Sequence, residues 1–393
     1  MRVCVVGPAS PREFAEHLGR PPESVPQGLG GTPVNSLVRS LLELGHDVVL
    51  ISAAMEVEQT WTAHGKSLTV IVVPYRPRAR RRALDLFRAE RGALREALES
   101  NPADVYHAHW TYEFALACID SKVSPLLVTA HDAPLTVLRR MPDAYRLIRL
   151  LMAVIVRLHA RNLSVVTPYL ATRWRREMFY RRPTSVITNP IPELASSNAE
   201  RSRTLSILDV ANGSRLKNVK ILLRAFDVIK RAEPSSELRL IGPGLETDGE
   251  LSRWATAAGL SDRVAFVGTL TREQLADEYQ RATVFCHPSL EESHGIVLLE
   301  AIHFGIPVVA GHNAGAVPWT LFNGEGGVLV DVRDPHALAN AILTLHDDQN
   351  ACRDMVRRAK VLAERRYAPT AVASRYVREY EALLATSGAA SRE

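Results

Sequence analysis

Two carboxylates frame the stretch of this chain where chemistry is most evident. Glu292 and Glu300 are separated by the seven residues Ser-His-Gly-Ile-Val-Leu-Leu, between one apolar run and another that starts at Pro307. This order predicts strand, loop, helix and strand, with Gly295 opening the helix. Ligands of open α/β sheets bind at the carboxyl ends of strands, where helix amides favour anions and carboxylates accept hydrogen bonds from hydroxyls. A capped helix without a ligand is the alternative, since acids near a helix start are favourable anyway.

Length and composition predict two ordinary globular domains. The chain has 393 residues, of which 46% are hydrophobic and 23% charged, and one core rarely serves such a length. The longest apolar stretch, from Leu147 to Leu158, is interrupted by two arginines and is shorter than the roughly 20 residues that cross a bilayer. No signal peptide is visible and the four cysteines form no Cys-x-x-Cys motif, so we expect a reducing, cytoplasmic location.

The positive charge is concentrated in the first half of the chain. Of the formal net charge of +5, residues 1–195 carry the whole surplus, with 25 Lys and Arg against 18 Asp and Glu. Five of these arginines crowd one short run: Arg76, Arg78, Arg80, Arg81 and Arg82. Others flank the apolar stretch or surround Trp174 and Phe179. Such runs are typical of a solvated face; binding of nucleic acid would use the same charges but has no further support.

Alternating strand and helix patterns predict parallel βαβ units in both halves. The predicted strands lie near Val3–Gly7, Asp47–Ser52, Leu68–Val73, Val105–His107, Leu126–Ala130, Ser164–Thr167, Ser185–Ile187, Leu205–Val210, Leu238–Ile241, Ala265–Gly268, Val284–His287, Val308–Ala310 and Gly327–Val330. The predicted helices of the first half lie near Val34–Leu44, Ala83–Ser100, Glu113–Ser121, Ala144–Arg161 and Leu170–Tyr180. A proline-containing linker over residues 189–198 divides domains at 1–195 and 196–366, and 367–393 forms a last helical segment.

Three loops of the second domain could approach a phosphorylated ligand. Lys217 lies in the loop after the first strand, directly before an apolar helix. Gly242 ends the second strand in the sequence Gly-Pro-Gly, where a small turn allows close backbone approach. Leu270 follows the strand that ends at Gly268. The chain has no Gly-x-Gly-x-x-Gly motif, so NAD binding has little support.

The first domain has a glycine-rich turn and two histidine-bearing strand ends. Gly30 and Gly31 precede a helix that starts near Pro33, which suits phosphate binding at a helix N-terminus, although a flexible loop would have the same composition. The segments Asp-Val-Tyr-His-Ala-His and Val-Thr-Ala-His-Asp end two strands and carry His107, His109 and His131. We expect His107 to be a buried scaffold residue.

These motifs, taken in order, resemble the retaining glycosyltransferases of family four over nearly the whole chain. The resemblance implies an α/β GT-B fold, with two Rossmann-like parallel-sheet domains facing a central cleft and a C-terminal helix that crosses back to the first domain. It implies transfer of a sugar, with retained configuration, from a UDP- or GDP-linked donor to a hydroxyl acceptor that could be a glycan, a lipid-linked compound or a small molecule. It implies no metal and no cofactor.

The resemblance also assigns roles to single residues. The catalytic candidates are His131, Lys217, Glu292 and Arg215. The donor-binding candidates are Gly30, Gly31, Asn212, Gly242, Leu270, Ser293, His294, Gly295, Ile296 and Glu300. Acceptor-side candidates are His109 and Tyr112. Glu300 would accept the ribose hydroxyls, Glu292 would hold the transferred sugar, and His131 would face the anomeric carbon.

Two departures from the family pattern affect this assignment. The arginine that the family places five residues before the lysine is Asn212 here, and Arg215 could supply the missing cation from a shifted position. Ser293 and His294 replace the usual Gly-Phe of the sugar pocket, so the donor sugar does not carry over. A catalytically inactive relative that binds sugar or a partner is therefore the alternative. The resemblance also implies that a basic, aromatic surface of the first domain can dock on an anionic membrane.

Overall fold

A computed structural model describes residues 1–192, 194–195 and 197–390. The described chain forms two compact units, one made of residues 1–192 and 367–390 and the other of residues 194–366. Residues 193 and 196 of the predicted linker, and the last three of the predicted C-terminal segment, lie outside the described residues. Each unit is a parallel-sheet α/β structure, as expected for GT-B.

The first unit is built on an eight-stranded sheet. Its strands are β1 (Arg2–Val6), β2 (Asp47–Ala54), β3 (Trp61–His64), β4 (Leu68–Pro74), β5 (Val105–His109), β6 (Leu126–Ala130), β7 (Asn162–Val165) and β8 (Thr184–Val186). Their order in the sheet is β3-β4-β2-β1-β5-β6-β7-β8, and all pairs are parallel except β3 with β4. Alternate residues of β1 belong to different cores, Val3 and Val5 to one and Cys4 and Val6 to the other, because helices cover both faces.

Eight helices surround this sheet. They are α1 (Thr32–Glu43), α2 (Ala79–Leu84), α3 (Arg88–Glu99), α4 (Glu113–Asp120), α5 (Pro134–Arg140), α6 (Ala144–His159), α7 (Pro168–Glu177) and, from the end of the chain, α15 (Pro369–Ala390). Helix α15 packs along α1 and inserts Tyr376 and Tyr380 into the core. Tyr380 Oη lies 2.7 Å from His107 Nδ1, so the C-terminal helix belongs to the first unit.

The second unit has a six-stranded, fully parallel sheet. Its strands are β9 (Ser206–Val210), β10 (Glu237–Ile241), β11 (Val264–Gly268), β12 (Val284–His287), β13 (Val308–Gly311) and β14 (Val328–Val330), in the order β11-β10-β9-β12-β13-β14. Its helices are α8 (Val219–Ala232), α9 (Glu250–Ala257), α10 (Arg272–Arg281), α11 (Ile296–His303), α12 (Val317–Thr320), α13 (Pro335–Asp347) and α14 (Gln349–Tyr367).

The structure corrects the prediction of one helix over residues 83–100. The chain forms two helices there, α2 and α3, because Leu86 and Phe87 adopt positive φ angles of 52° and 58° between them. Phe87 is fully buried in the core and its amide reaches back to the Arg82 carbonyl at 2.7 Å. Burial of this aromatic ring therefore overrides the helical pattern on either side.

The sequence pattern also missed two elements and shifted a third. The short β3 pairs antiparallel at the edge of the sheet, and α5 is a two-turn helix introduced by Pro134. Strand β7 begins at Asn162, two residues before the predicted start. Among the described helices, none combines the length and the apolar character needed to cross a bilayer. The four cysteines are buried and unpaired.

Candidate active site

The order of strands in the second unit reverses between β9 and β12, and the candidate residues follow these two strands. Crossovers run in opposite directions from such a switch point, which leaves a crevice at the carboxyl ends of the strands. The loop after β9 carries Lys217 and the loop after β12 carries Glu292. The topology thus brings together two residues that lie 75 positions apart.

Backbone and side-chain hydrogen bonds hold these two loops to each other. The Leu290 amide donates to the Leu216 carbonyl at 2.9 Å. Asn218, in the left-handed region with φ 57°, donates through Nδ2 to the carbonyls of Pro288 and Val332 at 3.2 and 2.7 Å. Asparagine tolerates this backbone conformation better than most residues. Asn218 was not among the predicted site residues, although its hydrogen bonds hold the loop of Lys217 against the loop of Glu292.

Lys217 and Glu292 form a largely buried ion pair. Lys217 Nζ donates to Glu292 Oε1, and the Nε2 atom of the buried His287 lies 2.9 Å from the same oxygen. Burial by itself would raise the pKa of Glu292, but Lys217 and His287 outweigh it and hold the pKa well below its usual value. Glu292 is therefore ionised and able to accept hydrogen bonds.

Helix α11 begins directly after this carboxylate. Gly295 has φ 82°, and a Cβ atom there would come within 2.9 Å of Leu298 Cδ1, so the position favours glycine. The helix starts at Ile296, and the amides of a first helical turn have no acceptor within the helix. They are suited to an anionic group.

Glu300 lies on the same helix and is partly buried. Tyr279 Oη donates to Glu300 Oε2 at 2.6 Å, and the Tyr279 ring stacks on Phe304. Burial raises the pKa of Glu300, although the Tyr279 hydrogen bond and Arg272 act in the opposite direction. Because Tyr279 holds one carboxylate oxygen in place, the orientation of the other is fixed as well. Tyr279 was not among the predicted site residues, because it lies in α10, where no local sequence pattern marks it.

The remaining second-unit candidates lie around this crevice. Gly242 approaches the loop after β9 so closely that a Cβ atom would meet the Ala211 carbonyl oxygen at 2.0 Å. The side chain of Asn212 accepts from the Ser214 amide at 3.1 Å and so stabilises its own turn. Arg215 is exposed, and its side chain has no hydrogen bond or ion pair among the described residues. Leu270 lies in the turn between β11 and α10.

Ser293 and His294 complete the loop between Glu292 and the helix. Thr320 Oγ1 donates to the His294 carbonyl at 2.6 Å, and the His294 ring packs edge-on against Trp319. His294 is buried. Its imidazole therefore supports the loop by packing against Trp319. A phenylalanine at this position could pack in a similar way but would bring no polar atoms.

The first unit has its own switch point, between β1 and β5. The loop after β1 contains Gly30 and Gly31, with φ angles of 78° and 132°, and leads into α1. A Cβ atom on Gly31 would lie 1.9 Å from the Pro8 carbonyl oxygen, whereas Gly30 has open space around it. Strand β5 ends at His109, one of three histidines at this end of the sheet.

Three histidine side chains, from β5 and from the residue after β6, lie in a row at this end of the first sheet. His131 Nε2 lies 3.0 Å from His109 Nδ1, and the His109 ring packs on the His107 ring with centroids 4.1 Å apart. Burial lowers the pKa of His131 to about 4 and, together with His131, that of His107 to about 3. Burial, with smaller contributions from His107 and His131, also lowers the pKa of His109 well below its usual value, so all three histidines are neutral near pH 7. Both ring nitrogens of His107 have partners, as expected for a scaffold residue.

Tyr112 is buried in a polar cluster next to this row. Its hydroxyl donates to Asp132 Oδ2 at 2.8 Å, and the Arg149 guanidinium lies 3.7 Å from the centre of its ring. Its hydroxyl is thus engaged within the first unit. The sequence did not reveal this cluster, because Arg149 comes from α6 and lies in a run that reads as apolar.

Two family models match the chain in succession. The one described as Glycosyltransferase Family 4 matches residues 30–193, and the one described as Glycosyl transferases group 1 matches residues 191–362. Together they cover well over half of the chain.

Curated relatives agree with this match. The D-inositol 3-phosphate glycosyltransferase of Corynebacterium kroppenstedtii is 37% identical over 147 residues, which cover 36% of this chain and 32% of that protein. The enzyme of the same name from Paenarthrobacter aurescens is 32% identical over 167 residues, covering 42% and 41%. The matched segments thus span about a third to two fifths of these relatives.

Two solved structures show the fold. The sucrose-phosphate synthase of Thermosynechococcus elongatus superposes with a TM-score of 0.77 at 20% identity, covering 98% of this chain and all of that one. Anabaena HepE in complex with UDP-glucose superposes with a TM-score of 0.68 at 18% identity, again covering 98% and 100%. The expected GT-B fold is confirmed, and the chain belongs to glycosyltransferase family 4.

Proposed function

We propose that this protein transfers a sugar from a nucleoside diphosphate sugar to a hydroxyl acceptor, with retained anomeric configuration. The observation that carries this proposal is the Lys217–Glu292 ion pair beside the start of α11, at the switch point of the second sheet. A cation and free helix amides suit a diphosphate, and an ionised carboxylate suits sugar hydroxyls. Few other ligand classes need all three in one crevice.

The chemistry requires charge stabilisation on the leaving group. As the bond between the anomeric carbon and the donor oxygen breaks, negative charge grows on the β-phosphate, and Lys217 with the α11 amides would stabilise it. Glu300 would accept the ribose hydroxyls. The named relatives are glycosyltransferases, and HepE was solved with UDP-glucose. A UDP-linked sugar is therefore the first donor to test, and a GDP-linked sugar the second.

Retention would follow if the acceptor attacks from the face that the diphosphate leaves. The leaving phosphate then takes the acceptor proton, and no enzyme carboxylate forms a covalent intermediate. His131 would lie near the anomeric carbon, with His109 on the acceptor side; these roles come from the family resemblance. Several relatives are named for D-inositol 3-phosphate, so an inositol phosphate is the first acceptor to test.

A surface of α6 supports contact with an anionic membrane. Leu147, Leu151, Val154 and Leu158 form one stripe along the helix, and their exposures lie between 38% and 56%. Residues 144–176 contain seven arginines and no acidic residue. A surface helix that is apolar on its outer face and surrounded by cations suits the boundary layer of an anionic bilayer.

The arginine run at residues 76–82 contributes less to such a surface than its composition predicts. Arg76 is paired with Asp85 and Glu90, and Arg82 is buried against the Tyr75 ring. Only the arginines between them are exposed. We therefore place the proposed membrane contact on the α6 stripe, next to the exposed Phe179.

Nucleotide binding gives the simplest test of the donor site. In a thermal-shift screen of UDP, GDP and ADP, one nucleotide at a hundred times its Kd should stabilise the protein by about 2.7 kcal/mol. For a unit of this size that is a shift of roughly 5–10 °C. Lys217→Ala should lose most of the shift while its melting temperature without ligand stays within a few degrees. No shift with any nucleotide would contradict the proposal.

A further inference from the structure

The buried His287 lies between two carboxylates at the floor of the donor crevice. Its Nδ1 is 2.8 Å from Asp209 Oδ1 and its Nε2 is 2.9 Å from Glu292 Oε1. A neutral imidazole has one donor and one acceptor, whereas an ionised carboxylate only accepts. Both ring nitrogens therefore carry protons, and His287 is an imidazolium.

Among the residues that the structure describes, His287 is the one charged partner of Asp209. Asp209 is fully buried in β9, and its Oδ2 atom has no hydrogen-bond partner within the described chain. An uncompensated buried carboxylate is strongly unfavourable. The Asp209–His287 pair is thus a fixed ion pair, one residue on each of the two strands that flank the switch point.

Glu292 receives both of its cationic partners on one oxygen. Lys217 Nζ and His287 Nε2 donate to Oε1, while Oε2 has no partner among the described residues. If Lys217 were the only counter-charge, its move to a diphosphate would leave Glu292 buried and unpaired. His287 removes this penalty, because it remains on Oε1 when Lys217 departs.

We propose that Asp209 and His287 are positioning residues that keep Glu292 ionised and oriented while Lys217 is released to the diphosphate of the donor. The inference rests on the proposed function of this crevice and deepens it. It also gives a reason why the arginine of the family pattern is dispensable at Asn212. Lys217 can move to the diphosphate because a second cation, the immobile His287 imidazolium, stays paired with Glu292.

The charged groups acting on His287 are few. Asp209 approaches from β9, Glu292 from the loop after β12, and Lys217 lies beyond Glu292. Burial alone would lower the pKa of His287, but the two carboxylates outweigh it and raise the pKa to about 9. The imidazolium is therefore present throughout the range from pH 5.5 to 8, and its charge is lost only as the pH rises through about 9.

The decisive variant is Asp209→Asn, which keeps the shape and removes the charge. The buried His287 then has one anionic neighbour instead of two, and its pKa should fall into the range between pH 5.5 and 8. Calorimetry should use the nucleoside diphosphate that binds best. The affinity of Asp209→Asn, divided by that of wild type at the same pH, should fall on the order of tenfold as the pH rises from 5.5 to 8, which is the scale of coupling within a charge network. The variant His287→Gln should bind the nucleoside diphosphate more weakly than wild type by a similar factor at all of these pH values.

Three controls make the result specific. Asp227→Asn removes a carboxylate paired with Arg231 on α8 and should leave affinity unchanged at every pH. In a Lys217→Met background, Asp209→Asn should add no further loss, because the effect passes through Lys217. Thermal unfolding of each variant confirms that it folds.

The outcomes separate two failures. If wild type binds a nucleotide through Lys217 but Asp209→Asn shows wild-type affinity, or a loss that does not change with pH, the role of the ion pair is wrong. If wild type binds no nucleoside diphosphate, the proposed donor site itself is wrong.

Discussion

Glu292 and Glu300 have different surroundings although the sequence presents them as a matched pair. Glu292 is held by cations and has a depressed pKa, whereas Glu300 is held by a neutral hydroxyl and burial raises its pKa. Under the proposed function, Glu300 next to Tyr279 suits neutral ribose hydroxyls, and Glu292 next to Lys217 suits the sugar where it joins the diphosphate. The two carboxylates should therefore affect different parts of the donor.

Substitution of each carboxylate should separate these parts. Glu300→Gln should weaken binding of UDP and of UDP-glucose alike, by roughly 10- to 100-fold, the usual value of a hydrogen bond to a charged group. Glu292→Gln should leave UDP affinity at least at the wild-type level, since Lys217 is released, and should remove any additional affinity for the sugar nucleotide.

Calorimetry with both ligands measures this difference. Glu273→Gln, at an exposed position of α10, is the matched control and should bind both ligands as wild type does. Unchanged UDP affinity in Glu300→Gln would exclude its role at the ribose.

At this scale the sequence predicted candidate residues better than their partners. Lys217 and Glu292 stand in recognisable motifs, and the structure pairs them. Asp209 and His287 were missed, although each is a titratable residue at the end of a strand that otherwise reads as core, which is the signal that could have found them. Pairing between strands 78 residues apart depends on sheet order, which no local pattern contains.

Among the elements, α6 is unusual because it exposes a stripe of large apolar side chains. Its inner face packs on α4 and α5, and its outer face is also apolar. A surface helix normally has a polar outer face. The alternation of strands and helices was readable from the sequence, but the break between α2 and α3 was not, because it depends on the burial of Phe87 by tertiary packing.

The outer face of α6 should control binding to vesicles. Wild type should cosediment with vesicles of phosphatidylglycerol and phosphatidylcholine, less with pure phosphatidylcholine, and less as salt rises. The double variant Leu151→Gln and Leu158→Gln should bind at least about tenfold more weakly, because each inserted leucine contributes roughly 1.5–3 kcal/mol.

Both leucines are already exposed, so the double variant should fold as wild type does. Leu44→Gln, an exposed leucine of the same unit at the end of α1, is the matched control and should bind as wild type does. Equal sedimentation of all three proteins would exclude α6 as the membrane contact.

For the whole molecule, both units carry candidate residues at a topological switch point, Lys217 and Glu292 in one and His109 and His131 in the other. The sequence pattern predicted parallel α/β architecture in each half because strand and helix periodicities alternate without interruption. It did not predict the antiparallel edge strand β3. The cytoplasmic location and the independence from metal expected from the sequence remain predictions.

Transfer with a labelled donor tests the central claim most directly. Full-length protein should move the sugar from a nucleoside diphosphate sugar to an acceptor such as an inositol phosphate, and NMR of the product should show the anomeric configuration of the donor. Lys217→Ala should reduce kcat by roughly 100-fold or more, as loss of one group that stabilises a developing anion does, and EDTA should leave the rate unchanged. Product of inverted configuration, or the absence of transfer and of donor hydrolysis by folded protein with any nucleotide sugar, would contradict the account.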